Sequence, residues 1–260
     1  MSPGAPAIEV RNLNVRYGSH QALEEISLRV EEGDYLAIMG PNGGGKSTLL
    51  KAILGLKETA AGEVSIFGGR VSRNRHLIGY VPQISLADRD FPITVEEAVL
   101  AGTLKPGFSL FHRYTRKDRE TVREALAKVG LGGLERRAIS ALSGGQYQKM
   151  LIARALAAKP RILLLDEPTS NVDAGSSQEI YTLLGELNRE LTILLVTHNV
   201  LAISSHVRGL ACLNRSLVYH GDPSLTPEVV EALYGCPVEL VAHGVPHRVL
   251  GTHEGGEEHA

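Results

Sequence analysis

The stretch GPNGGGKST at residues 40–48 has the residue types and the spacing of a loop that binds phosphate groups. Its glycines allow backbone dihedrals that other residues avoid, so successive N–H groups can point at phosphate oxygens. Lys46 would reach the β and γ phosphates of a nucleoside triphosphate, and the Ser47 hydroxyl would bind Mg²⁺. A plain glycine-rich turn is the alternative, but a predicted strand at 35–39 and a predicted helix at 47–54 favour the phosphate loop. The predicted contact residues are Gly40, Pro41, Asn42, Gly43, Gly44, Gly45, Lys46, Ser47 and Thr48.

Two carboxylates follow the apolar run at residues 161–165, which predicts a buried strand. Asp166 ends this strand, where a phosphate-loop enzyme requires the carboxylate that binds Mg²⁺. Glu167 would point toward the γ phosphate and act as the general base that polarises the attacking water. An ordinary acidic turn after a buried strand is the alternative.

Polar side chains also follow two other predicted strands. Gln83 comes after the strand at 77–81, and its amide could reach Mg²⁺ or the attacking water. His198 follows the strand at 192–197, at the sheet edge where ligands bind in open α/β folds. A lone glutamine or histidine is more often structural, but a strand-end position favours a place in the site.

Two further motifs have both a structural and a functional interpretation. Tyr17 ends an alternating strand at residues 8–17, so its ring could stack on an adenine or be a plain surface tyrosine. The string LSGGQ at residues 142–146 opens a helix, and Ser143 and Gln146 fit a helix capping box. Ser143 and the N–H groups of Gly144, Gly145 and Gln146 could also form a second anion site. A phosphate loop and a separate anion site in one chain suggest a composite site shared between two copies.

The overall composition sets limits on the class of protein. The chain has 260 residues, 43% of them hydrophobic, and a net charge of -2, so it can bury a full core and has no basic field that would favour nucleic acid. Its apolar runs are strand-sized and too short to cross a membrane, and the N-terminus lacks the pattern of a signal peptide. Two cysteines, Cys212 and Cys236, make no disulfide framework and favour a reducing compartment.

The region between Gln83 and the predicted strand at residues 161–165 has a helical pattern. Thr94 and Glu97 form a capping box, and residues 116–129 carry apolar side chains at helical spacing. This predicts an α/β protein with an inserted helical subdomain at about residues 84–159. The charged residues at 116–120 are interpreted as a solvated face.

With these motifs in place, the chain resembles the ATP-binding cassette family of transport ATPases over nearly all of residues 8–220. The resemblance implies a phosphate-loop ATPase core with a mixed sheet, an antiparallel β subdomain and the helical insertion. It implies that Tyr17 stacks on adenine, Gln83 lies in the Q-loop, residues 142–146 are the family signature, residues 170–173 are the D-loop, and His198 is the switch histidine. The cofactors would be ATP and Mg²⁺, with Ser47, Gln83 and Asp166 at the metal. Asn171-Val172 and Asn199 depart from the commoner residues at their positions.

Within the family, the segments 91–95, 211–214 and 225–235 resemble the zinc, manganese and iron importers. Residues 1–220 would form the nucleotide-binding domain and residues 221–260 a C-terminal extension. That extension contains His243, His247, His253 and His259, which could bind a divalent metal or belong to a solvated end.

The leading hypothesis is therefore an ATP-hydrolysing subunit that powers membrane import of a divalent metal ion, zinc or manganese. The implied partners are integral membrane permease subunits, a second copy of the chain and, indirectly, a metal-binding receptor. The chain would lie at the cytoplasmic face of the membrane, and no nucleic-acid partner is expected. A siderophore, haem or cobalamin importer is an alternative. A second alternative is a soluble family member that acts in iron-sulfur assembly, DNA repair or translation. A third, a module that binds nucleotide without hydrolysis, is disfavoured because Glu167 and His198 are both present.

Overall fold

The computed structural model describes residues 4–83, 91–104, 113–198 and 207–221. These ranges contain ten β-strands: β1 (Ile8–Tyr17), β2 (His20–Val30), β3 (Tyr35–Met39), β4 (Ala61–Ile66), β5 (Gly69–Arg70), β6 (Ile78–Val81), β7 (Ile162–Asp166), β8 (Thr192–Val196), β9 (Gly209–Asn214) and β10 (Ser216–Gly221). The helices are α1 (Lys46–Ile53), α2 (Val71–Asn74), α3 (Val95–Leu100), α4 (Arg116–Lys128), α5 (Gly144–Ala157) and α6 (Ala174–Leu187). None of these helices is long and apolar enough to span a bilayer, a finding that covers the described ranges alone.

The first part of the chain forms an antiparallel sheet with strand order β2-β1-β4-β5. Strand β1 is central, because Ile8 pairs with Val30 on one side and with Ile66 on the other. Its apolar side chains face inward at Ile8, Val10, Leu13 and Val15, and polar residues lie between them. This alternation is the pattern of a strand that is buried on one face.

The larger sheet has strand order β10-β9-β3-β8-β7-β6. Strands β9, β3, β8, β7 and β6 are parallel, and β10 pairs antiparallel with β9 at the edge. Every residue of β3, β7 and β8 is buried, as expected for parallel strands that are covered on both faces. The carboxyl ends of these three strands consequently lie side by side and carry the residues of the candidate site.

Two apolar cores cover the two faces of this sheet. On one face, Leu36 and Ile38 of β3 pack with Leu49, Leu50 and Ile53 of α1 and with the inner side of the antiparallel sheet. On the other face, Tyr35, Ala37 and Met39 pack with α3, α4, α5 and α6. Alternate residues of one strand thus contribute to different cores, and α1 holds the antiparallel sheet against the parallel one.

The predicted α/β class with a mixed sheet and an antiparallel sheet is confirmed. The capping boxes at Thr94–Glu97 and Ser143–Gln146 form as the sequence predicts. Strand β2 runs from His20 to Val30 and continues past a register shift near Glu25, whose φ is 49°. Elements outside the sequence predictions include α6, β9 and β10. The predicted boundaries of the helical subdomain stay predictions, and the predicted extension at 221–260 lies, apart from its first residue, outside the described residues.

Candidate nucleotide-binding site

The loop between β3 and α1 depends on glycine because neighbouring backbone approaches it closely. A Cβ on Gly40 would lie 1.9 Å from the Leu213 carbonyl oxygen, a distance that no side chain tolerates. Gly45 has φ +96°, and a Cβ there would lie 2.8 Å from the Ala22 oxygen. Gly43 also has a positive φ, +80°. The glycines therefore have a steric role as well as the role of exposing backbone N–H groups.

Lys46 is the first residue of α1, and its side chain is buried within the loop. Its Nζ donates hydrogen bonds to the carbonyl oxygens of Gly40 at 2.8 Å and of Pro41 at 2.9 Å. Burial lowers the pKa of Lys46, while the nearby carboxylates of Glu167 and Asp166 oppose that change. The lysine thus places a positive charge, partly removed from water, at the N-terminus of a helix, where phosphate groups bind favourably.

Ser47 and Asp166 bring two oxygen ligands together. The Ser47 hydroxyl donates to Asp166 Oδ1 across 3.3 Å, which joins α1 to the end of β7. Burial raises the pKa of Asp166, and the Ser47 hydrogen bond opposes the rise. No group of three or more His, Cys, Asp or Glu side chains suited to a metal occurs in the described ranges. A hydroxyl and one carboxylate nevertheless fit Mg²⁺, because this ion completes its shell with water and with the substrate's phosphate oxygens.

Side chains that follow two other strands, β6 and β8, contact the Glu167 carboxylate at the end of β7. Gln83 Nε2 donates to Glu167 Oε2 at 3.0 Å, and His198 Nδ1 lies 3.5 Å from Glu167 Oε1. Glu167 itself has φ 46°, and its N–H donates to the Val196 oxygen at 3.0 Å. A positive φ is unfavourable for a glutamate and persists only where the surroundings fix it. The carboxylate is therefore held in one direction by its own backbone and by two side chains.

Tyr17 ends β1 at the surface, and 45% of its area is exposed. The ammonium of Lys57 lies 4.0 Å from the centre of its ring, a cation–π contact. An exposed ring on which one face is covered by a cation can present its other face to an aromatic base. The sequence motifs contained no indication of Lys57, because its contact joins the end of β1 to the connection between α1 and β4.

The LSGGQ segment contacts a different part of the chain. Ser143 caps α5, where its hydroxyl accepts a hydrogen bond from the Gln146 N–H at 3.2 Å, and the Gln146 side chain accepts from the Ser143 N–H. A Cβ on Gly145 would lie 2.6 Å from Ser176 Cβ, and one on Gly144 would lie 3.1 Å from the Asn171 oxygen. Within one chain, the LSGGQ segment therefore lies against the segment at residues 171–176, and the hydrogen bonds described for Ser143 and Gln146 join these two residues to each other.

The remaining predicted loop residues lie where the sequence places them. Pro41 is half-buried, Asn42 is exposed, and Thr48 is half-buried in the first turn of α1. Two positions that sequence reasoning missed support the loop from β9 and the turn after it: the Leu213 carbonyl beside Gly40, and Arg215, whose N–H donates to the Gly44 oxygen at 3.0 Å. Backbone contacts of this kind do not depend on residue type and leave no pattern in the sequence.

The fold and the site geometry define a phosphate-loop nucleotide-binding domain, with carboxylates at the end of the neighbouring parallel strand. Residues 23–170 match the ABC transporter family, and the chain belongs to this family. The matched range includes the phosphate loop, the signature and both carboxylates.

Relatives of known designation match most of the chain. It is 42% identical over 220 residues to the zinc uptake system ATP-binding protein ZurA of Listeria monocytogenes. The aligned region covers 82% of this chain and 85% of ZurA. It is 40% identical over 232 residues to the manganese transport system ATP-binding protein MntB of Halalkalibacterium halodurans, with 88% and 92% covered. A dimeric post-hydrolysis structure of the cassette MJ0796 bound to ADP and Pi is similar over 84% of this chain and 100% of that chain, at 27% identity and a TM-score of 0.69.

Proposed function

We propose that this chain is the ATP-hydrolysing subunit of a membrane transporter that imports a divalent metal ion, zinc or manganese. The observation that best supports coupling between hydrolysis and a partner is the position of Gln83. Gln83 hydrogen-bonds the carboxylate of Glu167 and also lines a cavity of about 310 Å³ beside α3 and α5. A partner that fills this cavity would therefore contact the same side chain that touches the proposed catalytic base.

In the proposed reaction, the loop at residues 40–48 binds the phosphates of ATP, and Tyr17 stacks on the adenine. Glu167 accepts a proton from the attacking water as a general base. Its carboxylate is oriented for this role by the hydrogen bond from Gln83 and lies beside His198. Bound Mg²⁺, held by Ser47 and Asp166 with Gln83 nearby, would neutralise charge on the phosphate oxygens. Lys46 adds a second positive charge to the same phosphates.

The second half of each site would come from another copy of the chain. The signature helix α5 opens with Ser143, Gly144, Gly145 and Gln146, whose N–H groups include the unpaired donors of a helix N-terminus. A hydroxyl that accepts one hydrogen bond can still donate its own proton, so Ser143 can cap α5 and contact a phosphate at the same time. The similar cassette MJ0796 is dimeric with ADP and Pi bound, which supports the pairing of two copies, and a head-to-tail pair would give two such sites.

The partner at the cavity would be a permease helix on the cytoplasmic face of the membrane. Exposed Phe91 (63% exposed) and half-buried Ile93 offer apolar contacts there, and Glu97 and Arg154 offer charged ones. A short amphipathic helix laid into a groove of this composition is a common mode of protein recognition. The permease, and through it a metal-binding receptor, would then respond to closure of the dimer.

The cargo assignment is supported by the designations of the relatives, which are zinc and manganese systems. The test is uptake of radioactive zinc and manganese by cells that lack the gene, complemented with the parent chain or with Glu167→Gln. The parent should restore uptake of one of these ions, and the Glu167→Gln chain, present at equal amount, should not. Restored uptake of a siderophore, haem or cobalamin without either ion would contradict the cargo, and parent chain that stays out of washed membranes would contradict the transporter.

A further inference from the structure

The hydroxyl of Tyr181 is directed at the segment that carries the candidate catalytic residue. Tyr181 lies in the third turn of α6 with 4% of its area exposed. Its hydroxyl is 2.6 Å from Thr169 Oγ1, a short hydrogen bond in which either oxygen can be the donor. Thr169 is two residues after Glu167, in the connection between β7 and α6.

The backbone of this connection is a tight turn that contains two local hydrogen bonds. The Ser170 N–H donates to the Glu167 oxygen at 3.2 Å, and the Val172 N–H donates to the Thr169 oxygen at 3.3 Å. Both bonds are local and would follow any movement of the turn as a whole. The turn is also held by apolar packing, because Pro168 is buried and Val172 packs against the core. Two α6 side chains add hydrogen bonds: Tyr181 to Thr169, and the Ser177 hydroxyl, which donates to the Val172 oxygen at 3.4 Å.

The backbone conformation of Glu167 requires support from the surrounding structure. Its φ of 46° is an unfavourable value that the local chain does not select by itself. Such a conformation persists only where surrounding contacts determine it. The Val196 oxygen fixes the Glu167 N–H on the side of β8, and the Tyr181–Thr169 bond fixes the other end of the same turn.

We propose that Tyr181 is a positioning residue for hydrolysis. Through Thr169 it holds the turn after β7 so that the Glu167 carboxylate lies between Gln83 and His198, without itself touching the nucleotide. This inference rests on the proposed role of Glu167 as the base and deepens it. A hydroxyl with a packing role alone would leave the orientation of Glu167 unchanged when it is removed.

The chain offers a matched control for removing this hydroxyl. Tyr35 is 1% exposed, belongs to the same apolar core, and its hydroxyl has no hydrogen-bond partner in the described part of the chain, although it is near enough to Tyr181 to interact with it electrostatically. Tyr181→Phe and Tyr35→Phe therefore remove the same atom from the same core, and only the first breaks a hydrogen bond. Tyr181→Phe should lower kcat roughly 3- to 10-fold, the rate equivalent of one neutral hydrogen bond, with KM for ATP unchanged. Tyr35→Phe should leave both constants unchanged.

The partner residue provides a second, independent readout. Thr169→Ser keeps a hydroxyl and should retain parental kcat, whereas Thr169→Val should match Tyr181→Phe. The double variant Thr169→Val with Tyr181→Phe should be no slower than the slower single variant, because both remove one bond. Additive losses, a parental kcat for Tyr181→Phe, or equal losses in Tyr35→Phe would each overturn the proposal.

Hydrogen exchange of peptides spanning residues 166–173 separates this inference from the proposed function. Amides in this segment should exchange faster in nucleotide-free Tyr181→Phe than in the parent or in Tyr35→Phe, because the turn has lost its anchor. Unchanged exchange would overturn the positioning role even if activity fell. ATP hydrolysis by the purified parent is measured first, and an inactive parent would count against Glu167 as a base while the exchange comparison still decides whether Tyr181 anchors the turn.

Discussion

Gln83 Nε2 donates a hydrogen bond to Glu167 Oε2 across 3.0 Å, although 84 positions separate the two residues along the chain. The other oxygen of the same carboxylate lies 3.5 Å from His198 Nδ1. One carboxylate thus links the ends of β6, β7 and β8, which are adjacent strands of the parallel sheet. The proposed base therefore contacts both Gln83, which lines the proposed partner cavity, and His198, the proposed switch histidine.

Glu167→Gln should leave ATP binding intact and slow hydrolysis by a factor on the order of 10² to 10⁴, the worth of a positioned general base. The amide has nearly the same shape but accepts no proton, so ATP should be trapped between two chains. Light scattering with Mg-ATP should detect a dimer that the nucleotide-free variant does not form. Glu179→Gln, which alters an exposed glutamate paired with Lys149, is the control and should behave as the parent. A Glu167→Gln chain that stays monomeric in Mg-ATP would contradict the composite site.

Lys46→Ala should abolish tight nucleotide binding. The substitution removes the charge directed at the β and γ phosphates and the two hydrogen bonds to Gly40 and Pro41 that close the loop. Equilibrium binding of a fluorescent ATP analogue measures the loss, and the circular dichroism spectrum checks that the variant is folded. If this variant binds ATP as well as the parent, the phosphate-loop assignment is wrong.

Lys57→Ala should weaken ATP binding roughly 2- to 5-fold, the worth of one exposed cation–π contact. The ammonium over the Tyr17 ring holds that ring in place, and the loss should appear in affinity without a change in kcat. Lys57→Arg keeps a cation and should bind ATP as the parent does. Lys128→Ala, which removes an exposed lysine paired with Glu190, is the control for charge loss. Equal effects of Lys57→Ala and Lys128→Ala would exclude a specific role for the ring contact.

The sequence predicted the elements whose signals are local. Strand β3 is a continuous apolar run and β1 alternates, so both could be predicted to their end residues. The capping box at Ser143 depends on two residues three positions apart, and it could be predicted equally well. Local pattern therefore located each predicted polar residue of the site at a strand or helix end.

Contacts between distant segments could not be predicted in the same way. The Leu213 carbonyl leaves no room for a side chain at Gly40, although the two residues are 173 positions apart. The contact is made by backbone atoms, which any residue type would supply. Helix α6 did carry a local signal, an Asp173 N-cap followed by buried Ile180, Leu184 and Leu187, which the motif-based analysis did not use. The Thr169–Tyr181 bond joins that helix to the site and became visible only with the fold.

Asp166→Asn should stabilise the nucleotide-free chain and abolish Mg²⁺-dependent hydrolysis. Burial raises the pKa of Asp166, so its ionised form is disfavoured in the folded state, and a neutral amide still accepts the Ser47 hydrogen bond. The gain should appear as a higher Tm, and each 1 kcal/mol of added stability corresponds to roughly 2–4 °C in a domain of this size. Asp173→Asn is the control, because its exposed carboxylate has a pKa lowered by hydrogen bonds at the start of α6 and should gain nothing. A Tm that falls in Asp166→Asn would contradict this account of the buried charge.

The last prediction tests whether Ser143 acts on the site of the other copy. A Ser143→Arg chain alone should retain no ATP in a dimer, because a bulky side chain blocks the phosphate, and a Lys46→Ala chain alone should retain none, because its loop is damaged. Both chains also carry Glu167→Gln so that bound ATP is retained, and two different affinity tags isolate the mixed dimer. Thermal melting of each chain checks that both are folded, since Ser143→Arg also loses the helix cap.

The mixed dimer gives opposite results in the two possible arrangements. If each site combines the loop of one chain with the signature of the other, the intact loop of the Ser143→Arg chain faces the intact signature of the Lys46→Ala chain. One site then survives and retains a single ATP, while the second has both parts damaged. If each chain uses its own loop and its own signature, both sites carry a lesion and no ATP is retained. A folded mixed dimer without retained nucleotide would mean that the LSGGQ segment does not act in trans and that Ser143 serves as a helix cap.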